Sequence, residues 1–246
     1  MTTGTTFPTR LYLLQLSTST VPLSGGRFLE MSCAAYLVET RDGKHILIDS
    51  GLPHDFPKAE GLPASRDNRS VLEHLESLRL RPSDIDIVIS THFDVDHAGY
   101  HDSFAAAEFF VQREHYGIAR AGHERFAPAR AHWDHPSLRY HFVDGDSELL
   151  PGLMLIETSG HCPGHQSVLV RLPRAGAVLL AIDAVMMQSQ FSLERKPWPT
   201  DDNPLKLLAS TQKLLRLVDR VRASLVVFGH DGAQWQSLKK APEYYD

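Results

Sequence analysis

The stretch of sequence that decides the fold is THFDVDHAG, residues 91–99. It places two imidazoles and two carboxylates within six consecutive positions, directly after the mostly apolar run Ile85–Ile89. Neutral imidazole nitrogens and carboxylate oxygens are the ligands that Zn²⁺ and harder divalent ions accept. Most His/Asp-rich stretches are solvated loops, but this spacing after a buried strand predicts a metal site formed by His92, Asp94, Asp96 and His97.

An apolar run followed by a polar ligand recurs three more times. The runs and their ligands are Leu153–Ile156 with His161, Ala177–Ile182 with Asp183, and Leu225–Phe228 with His230. Each run is short and apolar, which is typical of a strand covered on both faces. Because the carboxyl ends of neighbouring strands in an open α/β sheet converge on one crevice, we expect all four endings to form one site.

The candidate ligands divide into two sets and a bridge. The sets are His92, Asp94 and His161 for one ion, Asp96, His97 and His230 for a second, and Asp183 between them. This number of ligands suits two divalent ions, each with an open position for water or substrate. A closed structural zinc site would favour cysteines, and the chain has only Cys33 and Cys162.

Together, these motifs resemble the metallo-β-lactamase superfamily. The resemblance is carried by the His-x-Asp-x-Asp-His cluster, TSGHCPGHQS at 158–167, Asp183 and GHD at 229–231. PGHQS and the final GHD are most similar to the N-acyl-homoserine lactone lactonases. ILIDSG at 46–51 is similar to the family strand ending in Asp-Thr-Gly, which implies that Asp49 supports the metal loops by hydrogen bonding.

The resemblance extends from about residue 34 to residue 234 and implies an α/β fold. That fold is an αββα four-layer sandwich of two mixed β-sheets flanked by helices, and we expect one metallo-hydrolase domain over residues 1–246. Strands are predicted near Leu11–Leu16, Ala34–Val38 and Ile46–Asp49. A capping box at Ser70 and a cap with proline at 203–204 predict two helix starts.

Two positions depart from the family pattern. Asp94 stands where the family has histidine, and Met186 stands where lactonases commonly carry a tyrosine that positions or polarises the substrate carbonyl. His115 and Tyr116 are candidates to replace that tyrosine. Because Asp94 lowers the positive charge of the centre, we expect a less acidic bound water and a higher pH optimum than in all-histidine relatives. A carboxylate also shifts the metal preference from Zn²⁺ toward Mn²⁺ or Fe²⁺.

The ligand set and the resemblance imply a metal-dependent hydrolase. Two ions, zinc being the first choice, would share a bridging hydroxide that attacks a small ester, above all a lactone such as an acyl-homoserine lactone. Asp96 is expected to carry the proton to the leaving group. Three alternatives remain open at this point: a phosphodiester or thioester hydrolase, an iron-based oxidoreductase similar to flavodiiron proteins, and a metal-binding protein without turnover.

Composition limits the partners and the compartment. The chain has 246 residues, 42% hydrophobic and 22% charged, so it is long enough to bury a large core. A net charge of -5 gives no basic footprint for nucleic acid or anionic membranes. The N-terminus does not resemble a secretory signal and the two cysteines do not suggest a disulfide framework, so we expect a cytoplasmic protein. The expected partner is a small-molecule ester or lactone, and a homodimer is one option for the oligomeric state.

Several residues near the motifs are assigned supporting or peripheral roles. We expect His165 to stabilise the turn after His161, and Cys162 to be a small packed residue in the same turn. The segment 113–140 is predicted as a helix followed by a long loop that covers the site. Its histidines are predicted to lie at the surface, and they are His115, His123, His132 and His135.

Overall fold

The structure is a computed structural model that describes residues 6–22, 24–26, 28–54, 56, 66 and 68–246. Across these residues the first sheet has, in spatial order, β1 (Pro8–Pro22), β2 (Phe28–Thr40), β3 (His45–Ile48), β4 (Ile87–Ile89), β5 (Glu108–Gln112) and β6 (Arg139–Val143). The second sheet contains β7 (Ser147–Leu150), β8 (Leu153–Glu157), β9 (Gln166–Leu172), β10 (Gly176–Ile182) and β11 (Leu225–Phe228), with the spatial order β11-β10-β9-β8-β7. The α-helices of the described ranges are α1 (Val71–Ser77), α2 (Val95–Ala98), α3 (Arg113–Arg120), α4 (Arg130–Trp133), α5 (Pro204–Val221) and α6 (Gly232–Ser237).

Both sheets are mixed. In the first, β1, β2 and β3 pair antiparallel, whereas β3, β4, β5 and β6 pair parallel. In the second, β7 to β10 are antiparallel neighbours and β11 runs parallel to β10. Strands β8, β10 and β11 therefore point the same way, and their carboxyl ends lie at one end of the sheet.

Alternating side chains of β1 show how the layers are stacked. Leu11 and Leu13 face the core between the two sheets, whereas Tyr12 and Leu14 face the opposite side, where the α1 residue Leu75 packs. On the far side of the second sheet, leucines of α5 pack against residues of β10. Full burial of each such leucine contributes about 1.5–3 kcal/mol. The predicted αββα sandwich is confirmed.

Local signals fix the starts of α1 and α5 as predicted. The Glu73 amide donates to Ser70 Oγ at 3.2 Å, and the Ser70 amide donates to the Glu73 carboxylate at 2.7 Å. Asn203 Oδ1 accepts from the amides of residues 205 and 206, and proline opens α5. None of the described helices is long and apolar enough to cross a membrane.

The segment 113–140 begins with α3, as predicted, but a 3₁₀ turn at 124–126 and α4 interrupt the predicted long loop. It is held by an aromatic cluster in which the rings of Phe93 and Trp133 stack with centroids 4.6 Å apart. Phe126 lies fully buried in the same cluster. The packing fixes the 3₁₀ turn next to the loop that carries the metal-ligand motif.

Candidate metal centre

The predicted ligands are brought together, but they come from both sheets. The motif after β4 supplies His92 and Asp94 and, from α2, Asp96 and His97, while the ends of β8, β10 and β11 supply the other three ligands. The four strand endings meet at one site as expected, and they belong to two sheets. The centre lies where one end of the first sheet meets one end of the second.

Asp183 lies in the middle of the imidazoles. Its Oδ2 is 3.1 Å from His230 Nε2, 3.3 Å from His161 Nε2 and 3.9 Å from His92 Nε2. Its Oδ1 is 3.5 Å from His97 Nε2. This buried carboxylate is therefore in the position of the predicted bridge.

Two groups of donor atoms are compact enough to hold an ion. The first group is His92, His161 and Asp183, and the second group is Asp96, His97 and His230; in each, the donor atoms lie within 4.8 Å of one another. Asp94 borders the first group, with Oδ2 3.4 Å from His92 Nε2 and 3.2 Å from His161 Nε2.

Each imidazole is oriented by a hydrogen bond from its other nitrogen. The pairs are His92 Nδ1 with Thr91 Oγ1 at 2.9 Å, His97 Nδ1 with Asp49 Oδ2 at 2.9 Å, His161 Nδ1 with Asp201 Oδ1 at 2.9 Å, and His230 Nδ1 with the Ser32 carbonyl at 2.8 Å. With a proton on each Nδ1, Nε2 is the nitrogen that faces Asp183, and it binds a metal once its own proton has left. This tautomer is the one that binds metal through Nε2.

Asp49 links two of these supports. It accepts from the Thr91 amide at 2.8 Å and the Thr91 hydroxyl at 2.7 Å, as well as from His97. Because the Thr91 hydroxyl gives its proton to Asp49, it accepts the Nδ1 proton of His92. The buried carboxylate thus orients two imidazoles, which is the role that the resemblance implies for it.

The electrostatics of the cluster favour a cation. Burial alone would lower the pKa of His97, but Asp96 and Asp183 outweigh it and raise that pKa to about 10. Burial is likewise outweighed by Asp183 and Asp96 at His230, whose pKa rises to about 9. For Asp183, burial would raise the pKa, but His230, His97 and His161 hold it well below its usual range. Without a metal, the carboxylates hold protons on these imidazoles. A divalent ion would compete with those protons for the same nitrogen atoms.

Buried donor atoms without partners are a second reason why these residues fit a divalent ion. His92 Nε2, His97 Nε2 and Asp183 Oδ1 are buried and have no hydrogen-bond partner among the described residues. Unpaired buried polar atoms of this kind cost free energy unless another group satisfies them. Nitrogen and carboxylate ligands that converge on common points are the donors that a zinc-type ion takes.

The comparisons with known proteins agree with this geometry. The model of the metallo-beta-lactamase superfamily matches residues 29–230, which is most of the chain. The chain belongs to the metallo-β-lactamase superfamily. Two curated N-acyl homoserine lactonases, from a Bacillus species and, as AiiA, from Bacillus thuringiensis subsp. kurstaki, are 33% and 32% identical to it over 243 residues, and each alignment covers 94% of both chains.

The chain is also similar to a solved structure. It is an N-acyl homoserine lactone hydrolase with the product N-hexanoyl-L-homoserine bound at its catalytic metal center. It superposes with a TM-score of 0.85 at 29% identity, covering 97% of this chain and all of that one. The predicted superfamily and the prediction of a lactonase-like, metal-dependent hydrolase are confirmed.

Two contacts of the centre were not predicted from the superfamily motifs. Arg125 Nε donates to Asp94 Oδ1 at 2.6 Å and its Nη2 to Asp94 Oδ2 at 2.5 Å. Asp201 accepts from His161 and also from the amide of Trp198. Neither residue lies in a superfamily motif, and no local pattern around 125 or 201 signals a role.

His115 was wrongly predicted to lie at the surface. It is fully buried; its Nε2 accepts from the Phe93 amide at 2.8 Å and its Nδ1 donates to the Pro163 carbonyl at 2.7 Å. Because both nitrogens are used, it is not free to replace the lactonase tyrosine. Tyr116 contacts other aromatic rings and does not line the cleft. Met186 does line it.

The remaining supporting assignments agree with the structure. His165 is buried and its Nδ1 pairs with Thr158 Oγ1 at 2.9 Å, while its ring lies against His92. Cys162 packs in the aromatic cluster, and both it and Cys33 are free and buried.

Proposed function

We propose that the chain opens the lactone ring of N-acyl-homoserine lactones at a divalent metal centre formed by His92, Asp96, His97, His161, Asp183 and His230. The single observation that carries this proposal is the convergence of four imidazole Nε2 atoms on Asp183, each ring being oriented by a partner of its Nδ1. The similarity to N-acyl homoserine lactonases over nearly the whole chain supports the substrate class.

The bound metal would supply an acidified water as nucleophile and polarise the ring carbonyl. Asp96 is the protein group that we propose for proton transfer. Its side chain is 30% exposed in the cleft, whereas that of Asp183, which also lines the cleft, is 4% exposed. A carboxylate at the cleft is positioned to accept a proton from water and return it to the ring oxygen as the ester bond breaks. The products are a hydroxy acid and, at neutral pH, one released proton.

The cleft beside the centre has room for the acyl chain. Its volume is about 280 Å³, and its lining combines the ligands with apolar side chains of Val21, Met31, Leu52 and Met186. Methionine adapts its shape to apolar ligands of different length. We propose that the acyl chain lies on this wall and that Met186 contacts the substrate there, with no hydroxyl to replace that of the lactonase tyrosine.

Zinc is the ion that we propose. A preference for Mn²⁺ or Fe²⁺ would require Asp94 to be free to bind the ion. Its two oxygens instead accept from Arg125, so the donors that remain are imidazoles with Asp96 and Asp183, a set that suits zinc.

The test measures the acid that zinc-loaded protein releases from N-hexanoyl- and N-decanoyl-homoserine lactone. A pH indicator follows the release. We expect metal-dependent release that a chelator abolishes and added zinc restores. Asp96→Asn should reduce kcat by about 100-fold or more, whereas Asp202→Asn, at an exposed carboxylate nearby, should have little effect. Zinc-loaded protein that opens neither lactone but cleaves a phosphodiester or a thioester would refute the proposal.

A further inference from the structure

A positively charged side chain lies inside the proposed centre. Arg125 Nη2 is 2.5 Å from Asp94 Oδ2 and also 2.5 Å from His161 Nε2. Both of these atoms belong to the ligand set predicted for the first ion. The guanidinium therefore contacts one donor of the first group, His161 Nε2, together with the carboxylate of Asp94 that borders the group.

Several contacts hold the guanidinium there. Its Nη1 donates to the carbonyl of His161 at 3.0 Å and to the carbonyl of Thr200 at 2.5 Å. The side chain of Arg125 is 19% exposed and that of Asp94 is 15% exposed, so water screens their pairing poorly. Burial would lower the pKa of Arg125, but the hydrogen bonds and charge of Asp94 outweigh it and raise that pKa. Arginine does not lose its proton in proteins, so this cation is permanent.

The second group has no comparable competitor. The ion-pair partners of Asp96 in the described part of the chain are His97 and His230, at 3.8 and 3.7 Å. Asp183 adds a carboxylate to the same group. An ion entering here displaces at most protons from imidazoles, whereas an ion entering the first group also has to displace a guanidinium.

We propose that the two groups bind divalent ions unequally, because Arg125 acts as a resident cation in the first group. One ion binds at Asp96, His97 and His230. A second ion binds at His92 and His161 only when Arg125 leaves Asp94. The inference rests on the proposed function solely in treating the cluster as a metal centre, and it involves no substrate.

Zinc titration of chelator-treated protein, with elemental analysis of the dialysed product, tests the inference. For the wild type we expect one tightly bound ion per chain and a second that binds at least about tenfold more weakly. Because each charged hydrogen bond to the guanidinium has to be broken, Arg125→Met should tighten the second ion by about 10- to 100-fold. Two ions of equal affinity in the wild type would overturn the inference.

Further variants separate charge from folding effects. Arg125→Lys keeps the charge but cannot bridge Asp94 and His161 with one planar group, so the second ion should tighten by less than in Arg125→Met. Arg125→Leu, a second uncharged replacement, should tighten it in the same way, which answers the question if Arg125→Met does not fold. Arg120→Met, at an exposed arginine of the same segment, should bind zinc like the wild type.

Unchanged second-ion affinity in both Arg125→Met and Arg125→Leu would refute the competing role of Arg125. The lactone assay is independent of this measurement. Unequal zinc binding without lactone cleavage would remove the proposed function and leave the present inference in place.

Discussion

At the scale of single residues, the contact between His161 and Asp201 shows how a metal ligand depends on a distant partner. The two residues are 40 positions apart, yet the side chain of Asp201 is fully buried against the imidazole. The carboxylate also accepts from the amide of Trp198 at 2.6 Å, so it is itself fixed. His161 is thereby held with Nε2 toward Asp183.

We therefore expect Asp201→Asn to weaken zinc binding by about 10- to 100-fold, because the amide orients the imidazole less firmly and lowers its basicity. Competition with a chromophoric chelator measures this. Asp202→Asn is the matched control, since the neighbouring carboxylate is exposed. Equal zinc affinity in the two variants would show that Asp201 does not support His161.

The charge of Asp94 also has to be reconsidered at this scale. The expectation of a higher pH optimum counted this carboxylate alone. Arg125 adds one positive charge at hydrogen-bond distance from it, which compensates for the charge that Asp94 introduces in place of a neutral histidine. Asp94 and Arg125 together therefore give no electrostatic reason for the metal-bound water to be less acidic than in all-histidine relatives.

At the scale of elements, the N-terminus of α5 holds the loop that follows β8. The Asn203 amide donates to the carbonyl of Gly160 at 2.8 Å, and the Asp202 amide donates to that of His161 at 3.0 Å. A Cβ at Gly160 would lie 2.2 Å from the amide nitrogen of Leu207, and the φ of Gly160 is +137°. Helix and loop are therefore too close for any side chain at this position.

Gly160→Ala should push α5 away from the loop, lower the free energy of unfolding by about 1–3 kcal/mol and weaken zinc binding. Urea unfolding and zinc titration give the two quantities. Gly122→Ala controls for backbone strain alone, because Gly122 also has a positive φ, +97°, and a Cβ there would meet no atom within 4 Å. If Gly122→Ala loses as much stability and zinc affinity as Gly160→Ala, the close approach of α5 to the loop does not explain the effect.

At the scale of the whole molecule, His101 and His115 are among the imidazoles that burial keeps without charge. His101 lies between the hydroxyls of Ser50 and Ser90, each at 2.8 Å, and burial lowers its pKa to about 3. Burial lowers the pKa of His115 to about 4. The unfolded chain takes up protons at these histidines below about pH 6.5, whereas the folded chain does not.

The stabilisation from burying His101 and His115 as neutral imidazoles is therefore complete above about pH 6.5. It is lost as the pH falls toward 4. Each pKa unit corresponds to about 1.4 kcal/mol. The free energy of unfolding, measured in urea from pH 7 to pH 4, should fall less steeply in His101→Asn than in the wild type, even if that variant is less stable at pH 7. His135→Asn, at an exposed histidine, should keep the wild-type slope; a wild-type slope in His101→Asn would contradict this account.

Much of the fold and the ligand set could be predicted because their signals are local. The motif at 92–97 and the apolar runs before residues 161, 183 and 230 are read from adjacent residues. Arg125 and Asp201 could not be predicted, because their contacts with Asp94 and His161 join positions 31 and 40 residues apart and form only after folding. His115 was misplaced for the same reason: its burial depends on the packing of the whole segment 113–140.

The origin of the ligands in two sheets has a mechanical consequence. The motif after β4 belongs to one layer, and the residues that follow β8, β10 and β11 belong to the other. Ions bound between them would cross-link the layers at this end, so zinc should slow amide hydrogen exchange in both sheets together, most strongly in β4 and β10. Protection confined to a single layer would mean that the cross-link does not form.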